Sequence, residues 1–144
     1  MKSTFVFYGW CILFVMVVMH ACQGKDEIKK AQFFTNGKSL YHKTCENCHG
    51  DGGEGLGNLY PPLGDTASIR SKQNRLACMV KYGIHEPLTI DNRLFDTEMP
   101  ANATLSEQEI AYILTYMGNS FGNELGLITT EEVAQQLKNC RNDK

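Results

Sequence analysis

Apolar positions are unevenly spread along this chain: an almost unbroken apolar run near the start gives way to segments in which they recur at helical spacing. The run from Phe5 to Met19 follows a single Lys2 and ends at His20-Ala21-Cys22, before the polar stretch Gln23 to Lys30. A charged start, a short apolar run and a small residue at the break are the plan of a secretory leader, and the run is shorter than the roughly 18–20 residues that cross a bilayer. Beyond it the spacing predicts a first short helix over Asn36–Thr44. A second is expected over Thr66–Tyr82, with Ile69, Leu76, Ala77 and Val80 on one face, Arg70, Lys72, Arg75 and Lys81 on the other, Asp65 or Thr66 as N-cap and Gly83 as the stop. Ser106-Glu107-Gln108-Glu109 is a capping box, opening a third helix whose Ile110, Ile113, Leu114 and Met117 recur on one face until Gly118. Thr129-Thr130-Glu131-Glu132 opens a fourth that runs to about Asn139. Between the first two helices, glycines at 50, 52, 53, 55, 57 and 64 and the pair Pro61-Pro62 predict a long irregular loop. The fold class is therefore all-α.

A length of 144 residues allows one domain. The formal net charge of −2 carries no basic excess of the kind a nucleic-acid groove needs, so nucleic acid is not expected as a partner. Met19-His20-Ala21-Cys22 resembles a lipobox, with departures at Met19 and His20, and makes Cys22 the expected lipidation site and lipid anchor to a membrane. An uncleaved anchor or ordinary cleavage nearby are the other readings. The chain then divides into a leader (1–21), a solvated tether (22–32), a main domain (33–122) and a C-terminal extension with a short helix (123–144).

Cys45-Glu46-Asn47-Cys48-His49 carries the chemistry. Two cysteines separated by two residues can reach the two vinyl groups of one haem, and the following His supplies an imidazole to the iron. A structural zinc site would need further ligands at suitable spacing, and no second Cys-x-x-Cys or paired His cluster follows. A dithiol redox site would want a βαβ setting. For the second axial position the residues on offer are Met79, Met99, Met117, His42 and His85. Met79 and Met117 fall inside helices, where core filling is the default; His42 and His85 read as surface residues. Met99 sits in the non-helical Asp96-Thr97-Glu98-Met99-Pro100, just before the capped helix, and is preferred. Its thioether is a soft ligand that favours ferrous iron.

Asn36-Gly37-Lys38-Ser39-Leu40-Tyr41 before the Cys-x-x-Cys-His motif, then Tyr60-Pro61-Pro62-Leu63, Met99-Pro100, Leu105-Ser106 and Ile110-Ala111-x-x-Leu114-Thr115-Tyr116, together resemble class I monohaem cytochromes c over roughly Phe33 to Gly122. The resemblance implies short helices and loops wrapped around one covalent haem c, here with an additional C-terminal helix. It implies that the first helix crosses the last core helix, with Gly37 approaching an aromatic there, for which Tyr116 is the expected residue. It further implies that a proline carbonyl, Pro61 or else Pro62, accepts the Nδ1 hydrogen bond of His49, and that Leu63 and Tyr60 pack on the ring. The function implied is extracytoplasmic transfer of single electrons between redox protein partners such as an oxidase, a dehydrogenase or another cytochrome, with no catalysis of its own. A haem enzyme or sensor with an open sixth position is the alternative, and His85 or Glu98 would be its nearby groups.

Six cysteines include Cys11 and Cys22 in the leader region and Cys45 and Cys48 in the motif. Cys78 and Cys140 remain, and outside the cytoplasm an even remainder is readily oxidised to a disulfide.

Overall fold

The computed structural model describes the backbone of residues 2–142, and side chains at residue 10 and from 24 to 140. Apart from Trp10, the side chains of the leader, and that of Cys22 on which lipidation was expected, lie outside the described residues. Helix α1 runs from Lys2 to Thr44, so the chain is already helical well before Asn36, and the segment expected as a tether (22–32) is part of this helix. Asp26 and Lys30 stand at i and i+4 with the acid N-terminal, an arrangement that favours helix. Phe33 lands edge-on against Tyr112 at 4.7 Å and Phe34 against Tyr116 at 5.1 Å, which gives α1 a tertiary anchor just ahead of Asn36. Among the described residues no helix is long and apolar enough to cross a membrane.

After α1 come α2 (Glu46–His49), α3 (Thr66–Ser71), a 3₁₀ turn (Gln73–Arg75) and α4 (Leu76–Tyr82). The helix expected over Thr66–Tyr82 is therefore broken in two. Asp65 caps α3 by accepting from Ser68 N. Ser71 Oγ then bonds Ser68 O and Lys72 Nζ bonds Ser68 Oγ, side-chain bonds that compete with straight helix. The 3₁₀ turn lets α4 start afresh with Leu76, Ala77, Cys78 and Val80 buried. Strands β1 (Leu88–Ile90) and β2 (Arg93–Phe95) form a hairpin in register Leu88↔Phe95, Thr89↔Leu94 and Ile90↔Arg93. Its two turn residues, Asp91 and Asn92, have φ of 48° and 55°, the left-handed conformation that Asp and Asn tolerate and that two-residue hairpins require. The hairpin, with isolated bridges between Leu56 and Tyr60 and between Ile84 and Met99, is the departure from an all-helical reading among the described residues.

Helix α5 (Glu107–Met117) starts on the full capping box of Ser106 and Glu109 and buries Ile110, Ala111, Ile113, Leu114, Thr115, Tyr116 and Met117. It is the central element of the core. Helix α1 crosses it so closely that a Cβ on Gly37 would stand 1.9 Å from Tyr112 O and 2.8 Å from the Tyr116 Cβ. The contact thus centres on the Tyr112 backbone, one turn earlier than the expected Tyr116 ring. Helix α6 (Thr130–Asn142) opens on a second reciprocal cap, Thr129 N donating to Glu132 and Glu132 N to Thr129 Oγ1, and packs Val133 and Leu137 into the same core. Gln136 Oε1 accepts from Ala77 N at 3.0 Å, at the start of α4. One residue further, Cys78 meets Cys140 as a disulfide with Cα atoms 6.2 Å apart.

Candidate haem-binding cleft

Cys45, Cys48 and His49 stand at i, i+3 and i+4, positions that share one face of a helix. The chain supplies that helix: His49 N and Cys48 N both bond Cys45 O, at 3.0 and 3.1 Å, and Gly50 N bonds Glu46 O at 2.8 Å. All three side chains line one apolar cleft of about 1090 Å³ including its mouth, while Glu46 turns outward to pair with His42. Ile69 and Leu76 come to the same cleft from α3 and α4, Ile113, Leu114 and Met117 from α5, and Ile90 and Phe95 from the hairpin.

The glycine-rich loop returns to this face through Gly55 N to His49 O at 2.8 Å and Leu63 N to Gly53 O at 2.7 Å. That return puts Tyr60, Pro61, Pro62 and Leu63 on the wall. His49 Nδ1 donates to Pro61 O at 3.0 Å, so of the two prolines it is Pro61 whose carbonyl meets the imidazole. Burial pushes the His49 pKa below its ordinary value, and the Pro61 bond opposes this only in part. A neutral ring that donates from Nδ1 keeps the Nε2 lone pair for a metal.

Burial also pushes the Cys45 thiol upward, against a smaller opposing effect of the Thr44 hydroxyl. A catalytic dithiol needs the opposite shift, because the thiolate is the nucleophile. Cys45 and Cys48 are both free thiols. Among the described residues the one grouping of metal-ligand types is His42, Glu46 and Asp51, which excludes both cysteines, so no zinc set forms around them.

Met99 lines the cleft, and so do Met79 and Met117; His42 and His85 do not. His42 faces Glu46 and Asp51, and His85 pairs with Glu98 at 3.5 Å on the surface. The Met99 backbone is fixed on both sides by Ile84, N to O and O to N, each at 2.9 Å. Gly83 makes this pairing feasible: its φ is +77°, and a Cβ there would meet Met99 O at 2.3 Å.

Three further residues take their place at the site from packing. Tyr41 is fully buried, lines the cleft, donates to Gly50 O at 2.6 Å and rests against Tyr116 and Phe121; its burial raises its pKa well above the usual phenol value. Asn123, also buried, donates from Nδ2 to Leu63 O at 2.8 Å and to Met117 O at 3.1 Å, tying the loop wall to the end of α5. Lys81 does not join a basic face with Arg70, Lys72 and Arg75, because its ammonium is bound to the carbonyls of Ala103 and Leu105.

Residues 32–117 match the family described as cytochrome c oxidase, cbb3-type, subunit III. Two curated proteins are similar. One is the fructose dehydrogenase cytochrome subunit of Gluconobacter japonicus, 30% identical over 109 residues, or 70% of this chain and 22% of that protein. The other is the cytochrome c subunit of the quinone alcohol dehydrogenase of Gluconobacter oxydans, 30% identical over 105 residues, or 71% and 22%. The chain thus spans about a fifth of the length of each.

Proposed function

The chain belongs to the cytochrome c family, and from that premise we propose that it carries single electrons outside the cytoplasm, on one haem c bound through Cys45 and Cys48 with His49 and Met99 as axial ligands. The observation that carries the reading is one helical turn presenting two thiols and an imidazole to an apolar cleft, with the imidazole oriented by Pro61 O.

These residues fit the group chemically. The cleft wall is almost wholly apolar, the thiols are free and the His49 Nε2 is unclaimed by the Nδ1 bond. Haem c, when bound, supplies a one-electron ferric/ferrous couple. Around it Leu63, Ile69, Leu76, Ile113 and Leu114 exclude water. Pro61 O holds the imidazole in one tautomer and strengthens it as a donor. Met99 supplies a soft thioether, which favours the ferrous state relative to a second imidazole.

The redox partners proposed are membrane or periplasmic proteins, and the two dehydrogenase cytochrome subunits make a dehydrogenase one class to try first. The chain itself acts as a carrier rather than a catalyst. Lipidated Cys22 would anchor it, and acyl chains bind membranes by about 0.8 kcal/mol per buried methylene. Mass spectrometry of the mature N-terminus tests that part.

The central test is spectroscopic, on protein matured in a host that attaches haem c. One haem that survives acidic organic extraction, together with a sulfur-to-iron charge-transfer band in the ferric protein that vanishes in Met99→Ala, is the expected result. Rapid carbon monoxide binding to the ferrous wild type would instead reveal an open sixth position and a ligand-binding or peroxidase-like protein. Bound zinc or extractable haem would overturn the reading.

A further inference from the structure

The covalent motif fixes one side of the cleft, but Met99 reaches it from an irregular stretch between the hairpin and α5, and something must hold that stretch closed. Four bonds do so at the end of α4, in addition to the Ile84 pairing. Asn102 donates to Val80 O from its backbone N at 3.1 Å and from Nδ2 at 3.4 Å. Lys81 Nζ donates to Ala103 O at 2.8 Å and to Leu105 O at 2.6 Å. We infer that Lys81 is a positioning residue for the sixth-ligand segment: its ammonium clamps the chain that follows Met99 onto α4 and so sets how often Met99 leaves the cleft. This rests on the reading of Met99 as the second axial ligand.

The chemistry suits the task. An ammonium has three donors and no acceptor, and bonds from a charged donor are stronger than neutral ones. The two carbonyls belong to a segment without regular structure, so neither has a helical or strand partner waiting if the lysine is removed. Lys81 is half-buried, its neighbours Val80 and Leu105 are buried, and Val80 lines the cleft. The clamp therefore joins a cleft wall directly to the Met99 loop. The downstream end of that loop is itself fixed, because Leu105 leads into the Ser106 capping box of α5. Glu109, in the first turn of α5, lies within electrostatic reach of Lys81, which helps hold its carboxyl below the usual range after the larger effect of its Ser106 bonds.

The experiment compares holoprotein carrying Lys81→Met, Lys81→Arg and Met99→Ala with wild type. Lys81→Met keeps the aliphatic stem but leaves two carbonyls unpaired. It is expected to raise the rate of carbon monoxide binding to the ferrous protein by about tenfold, in proportion to the larger fraction with Met99 displaced. Its sulfur-to-iron band should fade at lower denaturant than the far-ultraviolet helix signal, and Lys81→Arg should restore most of both. A Lys81→Met protein with the wild-type rate and band overturns the inference. So does one whose band and helix signal are lost together, since that describes a stability residue without a specific hold on the loop. If the wild type itself shows no band that depends on Met99, the ligand assignment fails and the clamp with it, an outcome distinguishable from failure of the clamp alone.

Discussion

Replacing Gly37 with alanine sets two effects of opposite sign against each other. Helix propensity alone favours the change, because alanine is better than glycine in a helix interior by about 1 kcal/mol. Packing opposes it. The new Cβ would stand 1.9 Å from Tyr112 O, 2.5 Å from Tyr112 C and 2.8 Å from the Tyr116 Cβ, and the first two are backbone atoms that no rotamer change can move. An unstrained heavy-atom contact needs about 3.5 Å, so α1 and α5 must part locally by roughly 1.5 Å. A gap of only 0.5–1 Å forfeits about a quarter to a half of each dispersion contact, and the contacts at risk include Phe33 on Tyr112 and Tyr41 on Tyr116. Overpacking ordinarily costs about 1–3 kcal/mol, and a backbone clash belongs at the upper end. The expected net loss is about 2 kcal/mol, which in urea corresponds to a midpoint about 1 M lower. Urea melts of the holoprotein measure this directly, with Gly24→Ala as the control, since nothing lies within 4 Å of a Cβ at Gly24. Gly24→Ala should be neutral or slightly stabilising. A Gly37→Ala protein as stable as wild type would refute the close-crossing argument.

Reduction of the Cys78–Cys140 disulfide, which closes 62 positions of chain, should lower stability by about 4 kcal/mol in the chain-entropy model; denaturant midpoints with and without reductant decide it, and coincident curves would show that the bridge does not form or does not constrain the unfolded chain. The Glu109 carboxyl is held below its ordinary value of 4.5 by the Ser106 bonds, so its contribution is present above about pH 4.5 and is lost as the pH falls through the lower folded value. Glu109→Gln should accordingly flatten the acid limb of a stability–pH profile, and an unchanged limb would remove the capping box from the account. Asn123→Ala frees the carbonyls of Leu63 and Met117 and should cost about 1–3 kcal/mol, with a change in the haem absorption envelope as the loop wall loosens; loss of stability without any spectral change would mean that Asn123 supports only α5.

Much of the site was legible locally because its determinants are local. Cys45, Cys48 and His49 share a face by helical spacing alone, and the Ser106 and Thr129 caps announce themselves by a Ser or Thr followed three residues later by an acid. The hairpin was legible in principle as well, since Asp91-Asn92 sits between Leu88-Thr89-Ile90 and Arg93-Leu94-Phe95, a two-residue turn signal that the helical pattern elsewhere obscured. The break between α3 and α4 was less accessible: an apolar face continuous from Ile69 to Val80 conceals side-chain bonds around Ser68 that only coordinates reveal.

What the sequence determined by itself is the chemistry, because thiols, imidazole and thioether are fixed by residue identity, and short-range spacing dictates which of them one helical turn can present together. What tertiary structure decided is which distant groups complete that chemistry. Pro61 rather than Pro62 meets His49 because of how the loop folds back on itself. Met99, Met79 and Met117 share the cleft while His42 and His85 do not, because α4, the hairpin and α5 each turn a particular face inward. Lys81, one of four basic residues by pattern, became a clamp because the Met99 segment passes its ammonium. Such pairings bring together groups far apart in the chain, and helical or strand periodicity carries no information about where a loop returns.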